Sequence, residues 1–242
     1  MLSVFIRVTI ASPMNSTALD LREHLARRFP DAVPLAGRRE AGLATGISAF
    51  DQMLPNGGLP RGRATVWAIP GSGATAILTT ACRSILATGM RAAWIDGART
   101  LGLGWNDGPV VIRPRTPLLG LRFAELLLGS GGFALVVMSG IPAERTTLFR
   151  LARAVHEGGG AFAMVADGTL PAALRLRSRY LPERFDYARS PFGDPAMVRT
   201  VTIAIDATSS GWNAAATLTL PLHSHDVRSA LDPGLADRRG SE

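Results

Sequence analysis

The 242-residue sequence contains no lysine: all 26 of its basic residues are arginine, set against 19 acidic residues for a net charge of +7. Codon bias in a GC-rich genome is enough to produce such a chain, but the chemical consequence holds whatever the cause. No lysine from any part of the sequence can neutralise a bound phosphate, and the positive charge that exists sits on a planar fork suited to phosphates and carboxylates. Cysteine is nearly absent as well. Cys82 stands alone, which excludes an internal disulfide and a cysteine zinc site, and its apolar helical surroundings mark it as a packing residue. No apolar run approaches bilayer length. The opening "MLSVFIRVTIASPMNSTALD" carries a charge inside its apolar stretch and makes a poor secretory signal, so the expectation is a cytoplasmic protein without a membrane partner. Met14 is an alternative start, because Thr17 and Asp20 have capping-box spacing; residues 1–13 are then an extension or a small added strand. His223 and His225 alternate without a carboxylate or thiol cluster beside them, so no metal is expected, and no Ser/His/Asp or Cys/His arrangement emerges.

What is present is a chain with 47% hydrophobic residues, ample for a buried core. "TALDLREHLARRF" places Leu21, Leu25 and Phe29 on one helical face. A proline-containing linker follows, and a first strand is expected at Ala64 to Ile69. Helix is expected from Ala74 to Thr88, closed by Gly89; then come the strand-like "RAAWID" and "GPVVIR", the helical "LLGLRFAELLLGSGG" and the strand "FALVVM". In "AERTTLFRLARAVHEGGG" a helix would bury Leu148, Leu151, Ala152 and Val155 and turn Arg145, Arg150 and Arg153 largely away; "AFAMVA" is another strand. This alternation implies an α/β fold with a mostly parallel central sheet flanked by helices. Beyond Asp167 the pattern changes: residues 170–195 read as an arginine-rich loop, and "RTVTIAID" and "AATLTLPL" as a hairpin-like antiparallel edge.

"WAIPGSGATAILTT", Trp67 to Thr80, has the outline of a phosphate loop. In G-x-x-x-x-G-K-[ST], backbone amides cradle the phosphates, the lysine neutralises them and the hydroxyl holds magnesium. With Gly73 as the second glycine, Ala68 stands at the first, Ala74 replaces the lysine and Thr75 supplies the hydroxyl. Gly71, Ser72, Gly73 and Thr75 are therefore a vestigial nucleotide site. The alternative is an empty loop that only turns the chain.

The longer stretch "TGISAFDQMLPNGGLPRGRATVWAIPGSGATAI" resembles the core of RecA-family recombinases: Thr45, Gly46 and Asp51, then Gly57, Gly58, Leu59, Pro60 and Gly62, fall at the family's spacing. The resemblance, which covers roughly residues 40–170, implies a RecA-like core with antiparallel strands at its C-terminal edge. It also implies which catalytic groups are missing. After "RAAWID" the family's water-activating glutamate corresponds to Ala98, the magnesium-supporting aspartate at the end of "ALVVM" corresponds to Met138, and the later polar sensor falls near Asp167 and Gly168. With lysine, base and metal ligand all absent, no catalytic residue, cofactor or small-molecule substrate is expected, and the ATPase is expected to be degenerate.

"LREHLARRFPDAVP" ahead of "LATGISAFDQMLPNGGLPRG" is similar to the opening of the ImuA family. That likeness implies a non-catalytic accessory factor of DNA-damage-induced (SOS) mutagenesis and translesion synthesis. Its expected partners are the RecA recombinase and ImuB with an error-prone polymerase. The resemblance divides the chain into an extension (1–38), a RecA-like core (39–222) and a polar tail (223–242). Leu21, Leu25 and Phe29 become candidate partner contacts on the RecA filament, which the protein would cap or inhibit. Arg175, Arg177, Arg179 and Arg184 lie where a recombinase places a DNA-binding loop, and with Tyr180 for stacking they are candidate single-stranded DNA contacts; a strand with a solvated basic face is the alternative. An ATP-dependent repair enzyme with an atypical loop and a SulA-like inhibitor of cell division are the competing functions.

Overall fold

The computed structural model describes residues 41–101, 108–167, 170, 172–189 and 195–221. Leu21, Leu25 and Phe29, the start at Met1 or Met14, Gly168, His223 and His225 lie outside them. The described chain runs α1 (Ser48–Met53), β1 (Ala64–Ile69), α2 (Ala74–Ala87), β2 (Ala92–Asp96), β3 (Val110–Ile112), α3 (Pro117–Gly129), β4 (Leu135–Ser139), α4 (Arg145–Gly158), β5 (Ala161–Asp167), β6 (Leu174–Tyr180), a 3₁₀ turn (Pro182–Arg184), β7 (Asp186–Arg189), β8 (Pro195–Ser209) and β9 (Trp212–Pro221).

All nine strands form one sheet in the order β3-β2-β4-β5-β1-β6-β8-β7, with β9 on β8. Strands from β3 to β6 are parallel, and β6, β7 and β9 pair antiparallel with β8. The expected mostly parallel sheet with an antiparallel edge is therefore the observed one. β2 and β4 are buried along their whole length, which is why their sequences are continuous apolar runs rather than alternating ones.

Helices cover the two faces unequally. On one face α1 and α2 pack against Trp67, Trp94, Val137, Leu176, Ile203 and Leu218, a core that reaches from β2 to β9. On the other, α3 and α4 pack on Val66, Ile95, Val136, Met138 and Phe162, and none of this second core comes from β6, β8 or β9. Each large apolar side chain so buried contributes about 1.5–3 kcal/mol. In α4 the buried residues are Leu148, Leu151, Ala154 and Val155, while Ala152 is exposed. Ala152 is a full 100° around the helix from Leu151, on the side turned to water.

The residues matching the recombinase pattern ahead of β1 have a structural task. The Asp51 carboxylate accepts hydrogen bonds from Thr45 N (2.9 Å), Thr45 Oγ1 (2.7 Å) and Gly46 N (3.2 Å), so α1 holds the turn before it. Phe50, one residue earlier, stacks on Trp67 of β1 at 5.9 Å and so ties that turn to the strand that leads into the loop.

Candidate functional site

The loop between β1 and α2 is folded down onto β6. Ser72 N–H donates to Ser178 O (2.9 Å), Ser178 Oγ donates back to Ser72 O (2.6 Å), and Tyr180 N–H donates to Ser72 Oγ (2.7 Å). Ser178 Oγ also accepts the indole N–H of buried Trp67 at 2.7 Å. The glycines permit this contact: a Cβ on Gly71 would stand 3.0 Å from Ser178 O, and Gly73 has φ +86° with Ile203 Cδ1 2.8 Å from where its Cβ would be. Ala74, in the lysine's place, is 8% exposed and packed into the first core, and Thr75 is half-buried. A phosphate loop needs its amides aimed at the anion. Here the Ser72 amide is committed to β6, and Gly73 is pressed against Ile203 of the first core, leaving no room for a side chain. Neither Ser178 nor Ile203 is singled out by the sequence. The only trace is the small polar residue on the buried face of "LRLRSRY".

At the same end of the sheet Asp96 is fully buried and accepts from Thr100 N (2.9 Å), Thr100 Oγ1 (3.1 Å) and Leu101 N (3.1 Å). Arg113 Nε lies 3.7 Å away, and its Nη2 donates to Leu101 O at 2.6 Å. β4 does not stop at Met138. It continues to Ser139, whose Oγ accepts the Trp94 indole N–H (3.0 Å) and donates to Asp96 Oδ1 (3.5 Å). Asp96 thus holds the 97–101 turn, in which Ala98 is exposed and Arg99 has φ +54°. Asp167 ends β5 and is exposed. Among the described residues no group of three or more His, Cys, Asp or Glu could hold a metal ion.

The arginines after β5 sit on a strand and not in a loop, which corrects the loop expectation for residues 174–180 and agrees with the alternative of a strand that has an exposed basic face. β6 alternates buried and exposed positions, so Leu174, Leu176 and Ser178 face the first core while Arg175, Arg177 and Arg179 form a row on the other face. The strand forms because β1 supplies a parallel partner in register, Val66 opposite Arg175, and β8 an antiparallel one. Across β8 the arginines face Thr208, Asp206 and Ala204, and across β9 these face Asn213, Ala215 and Thr217. Beside the arginines this face carries short side chains, Arg175 Nη2 donates to Leu170 O (3.1 Å), and no described helix packs on it. Arg184 is exposed on the 3₁₀ turn, whose carbonyl at Arg184 accepts from Thr202 Oγ1 at 2.9 Å, bringing that turn over the same face beyond Arg179. Tyr180 is a correction: it lies on the opposite face, packed edge-on against Phe185 at 5.8 Å, and burial raises its phenol above the usual range. It is not placed to stack a base beside the arginines.

Fold and loop together define an α/β protein with a mostly parallel central sheet and an antiparallel edge, an architecture consistent with a RecA-like core, whose phosphate-loop outline is docked on the neighbouring strand. The RecA proteins of Nocardia farcinica and Frankia casuarinae are similar to this chain, 34% identical over 110 and 109 residues, which is 42% of this chain and 31% and 32% of theirs. The RecA protein of Mycobacterium tuberculosis is 34% identical over 110 residues, 42% of this chain and 14% of its own length. The chain thus spans less than a third of the length of the curated relatives it matches. No protein-family model matches it.

Proposed function

We propose that the chain is a non-catalytic RecA-like accessory factor of DNA-damage-induced mutagenesis and translesion synthesis. In this reading it is of the ImuA type and acts by binding RecA, or ImuB and its polymerase, with restraint of RecA filaments as the outcome. The observation that carries the reading is the docked loop: Ser72 N–H is held by Ser178 O, Gly73 lies against Ile203 of the first core, and Ala74 is in that core. A loop with one amide committed to the neighbouring strand and alanine in the lysine's place supports a protein that acts through its surfaces and not through nucleotide turnover. The arginine row is the surface best suited to a polyanion, and phosphate contacts by Arg175, Arg177 and Arg179 give salt-sensitive, sequence-independent binding of single-stranded DNA.

The test is titration of this protein into the strand exchange and DNA-dependent ATPase reactions of the host RecA at fixed salt. Inhibition near one-to-one stoichiometry is expected. No effect on RecA together with no association with ImuB would overturn the reading. ATP hydrolysis by the protein itself is expected to be at background with and without single-stranded DNA. Ala74→Lys is expected not to create nucleotide binding and to cost about 1–3 kcal/mol through overpacking. An ATPase rate abolished by Thr75→Ala would revive the enzyme.

A further inference from the structure

β9 is the one long strand at an unpaired sheet margin among the described residues: ten residues, "WNAAATLTLP", paired with β8 through all ten positions and with no other described strand. It contains no charged residue and has no proline before Pro221, and its ladder with β8 is continuous from Trp212 to Pro221 without a bulge. Sheets ordinarily guard such an edge with charge, proline, a bulge or a covering element, because its outward amides and carbonyls template another strand. At the opposite margin the edge strand β3 is only three residues long. Among the described residues β9 carries no charge and no bulge, its one proline is its last residue, and no strand pairs with its outer edge; α1 packs on it from the side of the first core.

We infer that β9 is a dimerisation edge on which a second copy of this chain adds its own β9, antiparallel, to make one sheet continuous across two molecules. A two-fold axis perpendicular to the sheet pairs the strand with itself, so every outward donor meets an acceptor and the contact closes after two copies instead of propagating. Residues directly opposite share a face. The buried row Ala216, Leu218 and Leu220 therefore continues into its copy beneath the first core, and the exposed row Asn213, Ala215, Thr217 and Thr219 continues into its copy above. With no charge on either strand, the self-pairing carries no like-charge repulsion within the ladder. Two registers give the greatest overlap. They set Thr217 against Thr217 of the second copy, or against Ala215.

The chain's only cysteine makes the test specific. Cys82 is fully buried and its thiol is pushed up to about 12 by that burial, so a cysteine introduced on β9 is the only reactive thiol. Thr217 is exposed, and opposite residues in an antiparallel pair have Cα atoms about 4.5–5.5 Å apart, within disulfide reach. The full-length protein is expected to show a concentration-dependent dimer by sedimentation. Thr217→Cys alone, or mixed with Ala215→Cys, is expected to cross-link under mild oxidation, and Ala87→Cys, on an exposed site at the end of α2, is not. Thr217→Lys is expected to weaken the dimer about fivefold, and mixing it with Thr217→Glu to restore it. Neither substitution touches a buried position, and circular dichroism checks that both fold. A monomer at all concentrations would overturn the inference. So would a dimer that neither cross-links at 217 nor responds to Thr217→Lys.

Discussion

Ser178 joins three parts of the molecule through one hydroxyl: the Trp67 indole, the Ser72 carbonyl and the strand that carries the arginines. Ser178→Ala leaves a buried indole N–H and a loop carbonyl without their partner. A loss of about 1–3 kcal/mol is expected, read from urea denaturation followed by circular dichroism. Cys82 supplies a pH dependence of defined sign. Burial pushes the Cys82 thiol up to about 12, above its ordinary value of about 9, so above pH 9 the unfolded chain loses the thiol proton and the folded one keeps it. The thiol's contribution is therefore full below pH 9 and falls as pH rises towards 12. The midpoint of unfolding should fall more steeply with pH in the native protein than in Cys82→Ala across that window. The loop's missing lysine was legible in the sequence, because Ala74 follows Gly73 at a fixed offset. The groups that fill its place were not. Ser178 and Ile203 lie more than a hundred residues from the loop, and nothing local to either position indicates what it touches.

At the level of elements, the strands easiest to read were those whose surroundings are uniform. β2 and β4 are covered on both faces and appear as unbroken apolar runs. β6 was legible only as an alternative to a loop, because no described helix covers one of its faces and arginines occupy that face. α4 was legible from Leu148, Leu151 and Val155, and misread only at Ala152, where a small apolar residue carries little information about which way it points. The arginine row belongs to this scale too, since its geometry comes from the two-residue repeat of a strand. Replacing Arg175, Arg177 and Arg179 together by alanine removes exposed side chains only, so thermal stability should change by less than about 1 kcal/mol. Binding to single-stranded DNA, measured by anisotropy over a salt series, should weaken and lose up to about 2 units of its log–log salt slope. Unchanged affinity and slope would assign the row to solvent.

For the molecule as a whole, the sheet has two regimes among the described residues: three layers from β2 to β1, and two layers from β6 to β9. Opening should be ordered accordingly. Hydrogen exchange followed by mass spectrometry is expected to find β4 and β5 slowest and β9 fastest among the long strands in dilute protein, with β9 gaining protection as concentration rises through dimerisation. Uniform protection at all concentrations would contradict both expectations. The hydroxyl chain at the loop also gives the molecule a built-in optical reporter. Among the described tryptophans, Trp67 is tied through Ser178 to the loop at Ser72, while Trp94 is tied to Ser139 at the end of β4. Anything that prises the loop from β6, a partner or a nucleotide forced into the cradle, breaks the first tether and spares the second. The emission of Trp67 would then shift to the red against a silent Trp94, and the state of the cradle could be followed by fluorescence without any added label.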